Sequence, residues 1–235
     1  MRRTSVGRVI VGVLLIAAFC TVILTAFGFR GSRDVGTERW IDVARQTGAV
    51  NIVSSIYLGA RLFDTLLEVL VFAVAVLGVH FYLTARGHPE PVESIPESRV
   101  VRVAADILLP LILLIGIYVT VHGHLSPGGG FSGGVIAGTG LLLAAIALGT
   151  SVVAARFGRL LLERIEWGAL LGILVLAVAP VLFARLPMSD LLPPGRPGSL
   201  GSGGSILLYN GLIGVKVFIG SWVIVRHFVD HRGEI

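Results

Sequence analysis

Long apolar stretches with few charges constrain this chain more than any other feature of its sequence. A helix needs roughly 20 apolar residues to cross a hydrocarbon core of about 30 Å. Six stretches approach or exceed that length, at residues 9–27, 62–83, 103–121, 131–155, 167–183 and 206–225. The sequence therefore predicts an all-α fold, a polytopic membrane helical bundle with about six transmembrane helices.

The composition agrees with a membrane location. Hydrophobic residues make up 54% of the chain and charged residues only 14%, whereas soluble domains carry about 25% charged residues. This deficit excludes a soluble enzyme, a disordered segment and a coiled coil. The net charge of +5 is expected to set membrane orientation rather than to bind nucleic acid. The single cysteine excludes an internal disulfide.

The basic N-terminus and its apolar stretch also resemble a signal peptide. Against that interpretation, the stretch at 9–27 is too long, and no small-x-small cleavage site follows before Arg30. The arginines between the predicted spans fall more often on the side that holds the N-terminus. By the positive-inside rule, both termini are expected to be cytoplasmic.

The connections between the spans suggest a division of the chain. Residues 84–102 contain three prolines and several acids, a composition typical of a linker, with two spans before it and four after it. Residues 50–57 are too few to span and predict a short re-entrant or interfacial helix. Residues 184–205 are rich in Pro, Gly and Ser, and we expect a flexible loop outside the hydrocarbon.

Two carboxylates begin the second predicted span. Asp64 and Glu68 are four residues apart and therefore share one helix face. Thr65 lies beside them, and Arg61 precedes Asp64 by one turn. The two acids can share a proton or offer hard oxygen ligands to Na⁺. The alternative is an interfacial Arg61–Asp64 pair, with Glu68 reaching towards the headgroups.

Lys216 is the single lysine of the chain and lies in the middle of the sixth predicted span. A buried ammonium there must meet a carboxylate or a hydrated path, or lose its proton. It therefore either takes part in proton or ion conduction, or forms a structural pair.

The stretch from Tyr118 to Gly134 contains a helix break. A proline and three glycines follow two histidines, His122 and His124, which can relay protons near neutral pH. Glycines at positions 130, 134 and 138 form a small-residue stripe suited to close helix packing. The residues assigned to the structural motif are Pro127, Gly128, Gly129, Gly130, Phe131, Gly133 and Gly134.

The segment HGHLSPGGGFSGG and the later SGGSILLYNGLIGVK closely resemble the B subunit of the Mrp-type multisubunit cation/proton antiporters. The same subunit recurs in membrane-bound hydrogenase and sulfur-reductase complexes related to respiratory complex I. The resemblance covers about residues 100–228, and the family usually has Gln where this chain has Ser132. Residues 51–79 separately resemble the C-terminal part of the antiporter A subunit and a small membrane subunit of the hydrogenases.

The resemblance implies a natural fusion of two modules: residues 1–84, a linker at 85–101, and a B-subunit-like domain at 102–235. It implies a membrane subunit of a Na⁺/H⁺ antiporter complex in the prokaryotic cytoplasmic membrane, with other membrane subunits, Na⁺, H⁺ and the lipid bilayer as partners. In relatives, the acidic pair matching Asp64 and Glu68 lies on the proposed cation route. The expected set of path residues comprises Asp64, Glu68, Thr65, Lys216, His122 and His124.

We expect no cofactor, no metal site and no enzymatic activity of the chain by itself. No antiporter-type broken helix with a mid-membrane Lys–Glu pair is evident, so the proton channel proper is expected in a larger partner. One alternative is a redox-driven complex that uses the same module. Another is a purely structural scaffold whose acidic residues face headgroups.

Overall fold

The computed structural model describes residues 37–85, 99–156, 158–183 and 185–230, and these residues form helices and loops without a strand. In chain order the helices are α1 (Thr37–Thr47), α2 (Ile52–Ser55, continuing as a π-helical turn Ile56–Ala60), α3 (Leu62–Ala85), α4 (Arg99–Val121), α5 (Gly130–Leu148), α6 (Thr150–Arg156), α7 (Arg159–Val178, continuing as a 3₁₀ turn Ala179–Phe183) and α8 (Ile206–Asp230).

The predicted all-α membrane class is confirmed over this part of the chain. Five of the described helices are long and apolar enough to cross a membrane. Three of them begin and end close to the predicted stretches at 62–83, 103–121 and 206–225, whereas α7 begins at Arg159, eight residues before the predicted stretch at 167–183. The predicted span at residues 9–27 lies outside the described residues.

The predicted span at 131–155 is wrong in its C-terminal part. Helix α5 ends at Leu148, and Gly149 takes a positive φ of 89° before the short helix α6 begins at Thr150. A backbone conformation of this kind is readily accessible only to glycine and ends the helix. The span is therefore shorter than the apolar run that predicted it.

Helix α5 lies at the centre of the described bundle and is the most buried of the five candidate spans. It packs mainly against α4 and α8, and α8 also contacts α3 and α7. The three-glycine stripe of α5 faces α8: Gly130 lies against Asn210 and Ile213, Gly134 against Gly214 and Val217, and Gly138 against Ser221. The missing side chains let these two helices approach closely.

A core of aliphatic residues continues this packing through α2, α3, α7 and α8. Its buried members include Leu58, Val69, Ile173, Ile213 and Val217. Helix α4 is the least buried of the five spans, and its side chains from Val103 to Tyr118 include many exposed apolar groups. That surface is suited to lipid or to another membrane subunit.

The segment from Arg185 to Ser205 is irregular and largely exposed, but its last four residues pack against the start of α8. Ser202, Gly203, Gly204 and Ser205 are buried. Asp190 Oδ1 accepts a hydrogen bond from Ser205 N at 2.8 Å, at the N-terminus of α8, where a carboxylate is favourable. The loop is therefore anchored to the first turn of the last helix.

The close contact between α5 and α8 predicts that replacing Gly134 by a larger residue destabilises the fold. A Cβ atom at this position would lie 2.7 Å from Gly214 O and 2.8 Å from Val217 Cβ. We expect Gly134→Ala to destabilise the fold by about 1–3 kcal/mol, as overpacking does. The measurement is the thermal unfolding of the purified protein in mild detergent.

Gly168→Ala is the matched control, because a Cβ there meets no atom within 4 Å and alanine favours the helix over glycine. Equal stability of the two variants would contradict the close-packing interpretation.

Candidate functional site

The helix break is held by hydrogen bonds from a distant part of the sequence. Asn51 Nδ2 donates to Gly123 O and to Ser126 O, both at 2.8 Å. Ser54 Oγ also donates to Gly123 O, and Asn51 N donates to His124 O at 3.0 Å. Helix α2 and its N-cap therefore satisfy carbonyl groups that the end of α4 leaves free.

A buried asparagine on α8 holds the other side of the break. Asn210 Oδ1 accepts from Gly130 N at 3.0 Å and from the Tyr57 hydroxyl at 3.2 Å. Gly129 has a positive φ of 144°, and a Cβ there would collide with the Tyr57 hydroxyl. Glycine is therefore required at position 129 both by backbone conformation and by space.

Burial raises the pKa of Tyr57 above its ordinary value, and the Glu68 carboxylate adds to the rise, against a lowering by its hydrogen bonds to Ser54 and Asn210. The phenol therefore stays protonated and acts as a donor at the pH of a cell. The main-chain carbonyl oxygen of Tyr57 accepts a hydrogen bond from Thr65 Oγ1 at 2.6 Å. Tyr57 thus connects the helix break to the first turn of α3.

The two histidines of the break differ in their surroundings. His124 is fully buried, with Nε2 lying 3.4 Å from Ser199 O. Since a carbonyl can only accept, Nε2 carries the proton in this contact, and Nδ1 has no partner among the described residues. His122 is half-buried and stacks on Tyr118 with ring centroids 4.1 Å apart.

The acidic face of α3 begins directly after the π-helical turn. Arg61 Nε donates to Asp64 Oδ2 at 2.6 Å, and the two side chains are 62% and 45% exposed. Glu68 is exposed one turn further on, whereas Thr65 is buried and faces the core. The Arg61–Asp64 contact is the one that the interfacial alternative predicted, and Glu68 has an open face beside it.

Lys216 is buried and forms an ion pair with Glu166 of α7. The side chains are only 5% and 16% exposed, so the pair lies inside the bundle. The sequence indicated no antiporter-type broken helix with a mid-membrane Lys–Glu pair; α8 is indeed continuous, but Lys216 does meet a glutamate. Glu166 escaped the sequence analysis because it lies one residue outside the predicted span at 167–183.

The predicted path residues do not converge on one site. Asp64 and Glu68 share the outer face of α3, His122 and His124 lie at the helix break, and Lys216 pairs with α7. Among the described residues, no three His, Cys, Asp or Glu side chains come together as a metal site. Asp64 and Glu68 are the carboxylates that can offer oxygen ligands on one surface.

A second histidine pair was not anticipated. His80 Nδ1 lies 2.7 Å from His227 Nε2, joining α3 to α8. The residues that hold the break (Asn51, Ser54, Tyr57 and Asn210) were likewise missed. Apart from their position in polar patches of otherwise apolar sequence, nothing in the local pattern indicates that they meet.

Comparisons with known proteins agree with this multi-pass helical membrane architecture. The family model described as "Domain related to MnhB subunit of Na+/H+ antiporter" matches residues 100–223, more than half of the chain. The protein therefore belongs to this family. An uncharacterized protein of Methanocaldococcus jannaschii, MJ1307, is 29% identical over 195 residues, 72% of this chain and 73% of the relative.

Two solved structures are similar. A chain of the membrane-bound sulfane sulfur reductase, an archaeal respiratory membrane complex, is 28% identical with a TM-score of 0.72, covering 97% of this chain and 98% of that one. A chain of the Mrp complex from Dietzia sp. DQ12-45-1b is 24% identical with a TM-score of 0.64. It covers 99% of this chain, which spans 26% of that one. At this identity the second likeness shows the fold alone.

The hydrogen bonds of Asn210 predict a stability defect when its side chain becomes apolar. Asn210→Leu removes the acceptor for Gly130 N–H and for the Tyr57 hydroxyl. Leaving a buried donor unsatisfied costs about 1–3 kcal/mol, so we expect a lower unfolding temperature in mild detergent.

A double-mutant cycle with Tyr57→Phe tests the contact itself. The double variant should lose less stability than the two single variants together, because the hydroxyl and its acceptor are then absent at once. Strict additivity would contradict direct coupling between the two side chains.

Proposed function

We propose that this chain is a membrane subunit of a multisubunit monovalent cation (Na⁺)/proton antiporter complex, and that it contributes to the cation path and to assembly. The observation that carries the proposal is the match of residues 100–223 to the domain related to the MnhB subunit of the Na⁺/H⁺ antiporter. The five apolar helices support a place in the cell membrane. Partner subunits would supply the remaining parts of the ion path.

The acidic face of α3 is the proposed cation route. Leu62 is the first residue of this apolar helix, and Glu68 lies six residues beyond it, about 9 Å at the rise of an α-helix. A charge costs about 2.5–3.5 kcal/mol at the centre of a bilayer on insertion scales and less towards the interface, so an exposed carboxylate between the two still favours a polar partner over lipid. Asp64 and Glu68 would then line a cleft between this chain and a neighbouring subunit.

The π-helical turn before α3 supports a functional role for this face. π-Helical turns are rare and frequently occur at functional sites. The turn Ile56–Ala60 places Arg61 against Asp64, so a cation that binds Asp64 would compete with the guanidinium. Thr65 would act indirectly in this route, because its hydroxyl binds Tyr57 O at 2.6 Å and so fixes the start of the helix.

The two histidines at the break are proposed to line a polar route at that end of the bundle. His124 supports this role, because its buried Nδ1 has no hydrogen-bond partner among the described residues. Buried polar atoms of this kind are usually satisfied by ordered water.

A redox-driven complex is the second candidate function. The sulfane sulfur reductase chain matches this protein over nearly the whole length of both chains. That observation favours an ion-translocating membrane subunit of a respiratory or hydrogenase-type complex. In either complex the chain would carry no cofactor and catalyse no redox step by itself.

We further propose that the chain is a fusion of two modules, residues 1–84 and 102–235, joined by residues 85–101. The family match begins at residue 100, close to this boundary. The hydrogen bonds from Asn51 and Ser54 to Gly123 would then join the two modules. Fusion in one chain would ensure that both modules are present in equal numbers.

The cation route predicts that neutral amides at Asp64 and Glu68 impair transport. Asp64→Asn and Glu68→Gln preserve shape but remove the charge that a hard cation requires. Each should lower Na⁺-dependent proton exchange in membrane vesicles by about tenfold or more, the effect of losing about 1.4 kcal/mol of cation interaction. Complex assembly should be unchanged.

Asp106→Asn is the matched control, since Asp106 is an exposed carboxylate on α4, away from this face. If Asp64→Asn and Glu68→Gln assemble and transport at the parental rate, the scaffold interpretation replaces the cation route.

Mass spectrometry of the complex that co-purifies in mild detergent distinguishes the two candidate functions. Antiporter-type membrane subunits alone support the antiporter. Iron–sulfur or nickel–iron subunits in stoichiometric amount would assign the chain to a redox-driven complex. A monodisperse single chain with no partner would contradict both.

A further inference from the structure

The buried ion pair between Glu166 and Lys216 has no role in the cation route on α3. It joins α7 to α8 deep in the apolar bundle, with the two side chains 16% and 5% exposed. The side chains of the Arg61–Asp64 pair are far more exposed, at 62% and 45%. Burying an ion pair costs much more desolvation free energy than forming one at an exposed position.

Stability alone does not account for the buried pair. A buried ion pair is often no more stabilising than apolar residues of similar volume, because both charges lose their hydration. The neighbouring positions on α8 are apolar, with Ile213 and Val217 buried in the main core, and one turn away Leu212 packs on Gly172. An apolar pair at positions 166 and 216 would continue this packing.

Proton exchange explains why the two positions carry an acid and a base. We propose that Glu166 and Lys216 form a proton-binding site within this chain. Glu166 Oε1 accepts a proton from Lys216 Nζ, so that an O–H bond forms as an N–H bond breaks, and two charges become a neutral acid and a neutral amine. Glu166 then releases this proton to a water molecule, which becomes hydronium, and the neutral Lys216 amine takes up a proton from another hydronium ion, which restores the two charges. Neutral forms are the ones that apolar surroundings tolerate.

The titratable side chains nearest to the pair along the chain are Glu163 and Arg164, within one turn of Glu166 on α7, and both are exposed. Helix α5, which packs on α8, carries none. The buried face of α3 carries Thr65, Val69 and Val76. Tyr209 lies two turns before Lys216 on α8 and is buried. The remaining groups on the helices around the pair are exposed, lie on an outer face or lie near a helix end: Asp64, Glu68, Tyr82, Arg99, Arg102, Asp106, Tyr118, Glu163, Arg164, Arg226 and the pair His80–His227. The main charged partner of each member of the pair is therefore the other member.

The pair is within reach of one end of the bundle. Helix α7 begins at Arg159, so Glu166 lies about 10 Å from its N-terminal end at the rise of an α-helix. Glu163, one turn earlier on the same helix, is already exposed. A short hydrated path from that end is enough to load or unload Glu166.

Lys216→Arg is the decisive variant for transport, since a guanidinium keeps the positive charge but does not release its proton in proteins. A positioned proton-transfer group contributes about 10²–10⁴-fold to a rate. We therefore expect proton-coupled transport by the assembled complex to fall about a hundredfold. Parental transport by an assembled Lys216→Arg complex would overturn the proposal.

The double variant Glu166→Gln/Lys216→Met distinguishes a loss of proton transfer from a loss of folding. It removes both charges together, which avoids leaving one buried and unpaired. We expect normal assembly with transport still lost, whereas a purely structural pair predicts that assembly and transport both recover. Glu163→Gln is the control for an exposed carboxylate on the same helix.

Infrared difference spectroscopy of the purified complex over a pH series measures the proton itself. We expect a protonated-carboxyl C=O band that titrates in the parental and Glu163→Gln complexes and is absent from the double variant. Absence of such a band from the parental complex, or its persistence in the double variant, overturns the proposal.

The role of this site in transport rests on the proposed antiporter function, but the infrared band does not. If the complex exchanges no Na⁺ for H⁺ and the band is still present, the antiporter function fails and the proton-binding site stands. If Asp64→Asn impairs transport and the band is absent, the site fails alone.

Discussion

The need to satisfy main-chain groups at the interruption between α4 and α5 determines much of this structure. An apolar bundle offers no water to the carbonyl and amide groups that a helix break exposes, so protein atoms must bind them. Asn51 and Ser54 supply donors from the N-terminal segment, and Asn210 supplies an acceptor from α8. These contacts fix three distant segments at one point. The glycines after Pro127 make room for them, most strictly at Gly129.

From this point the packing of the helices follows. With Gly130 held by Asn210, the small residues of α5 lie in register with α8 for two further turns, at Gly134 and Gly138. Tyr57 carries the same constraint to α3, because its hydroxyl is bound at the break and its carbonyl is bound by Thr65. The acidic face of α3 is therefore positioned by the break through Tyr57 and Thr65.

Two pairs of charged residues on the apolar helices have contrasting surroundings. Asp64 and Glu68 lie on a surface, where only another subunit could complete a polar path around them. Glu166 and Lys216 complete each other inside the chain. A surface acid face and an internal acid–base pair fit a subunit that shares one ion route with a partner and holds a second, proton-binding site of its own.

The sequence alone determined the membrane class, the position of most spans, the acidic face of α3 and the glycine stripe, because each depends on residues close together in the chain. Apolar length and four-residue spacing are local properties. Tertiary structure decided the end of α5 at Gly149 and the pairing of Lys216 with Glu166. It also decided the contact between His80 and His227 and the hydrogen bonds that hold the helix break. Glu166 lies 50 residues from Lys216, and Asn210 lies 80 from Gly130. Such pairs form only when the helices pack, because the packing order of antiparallel spans is not encoded by any one of them.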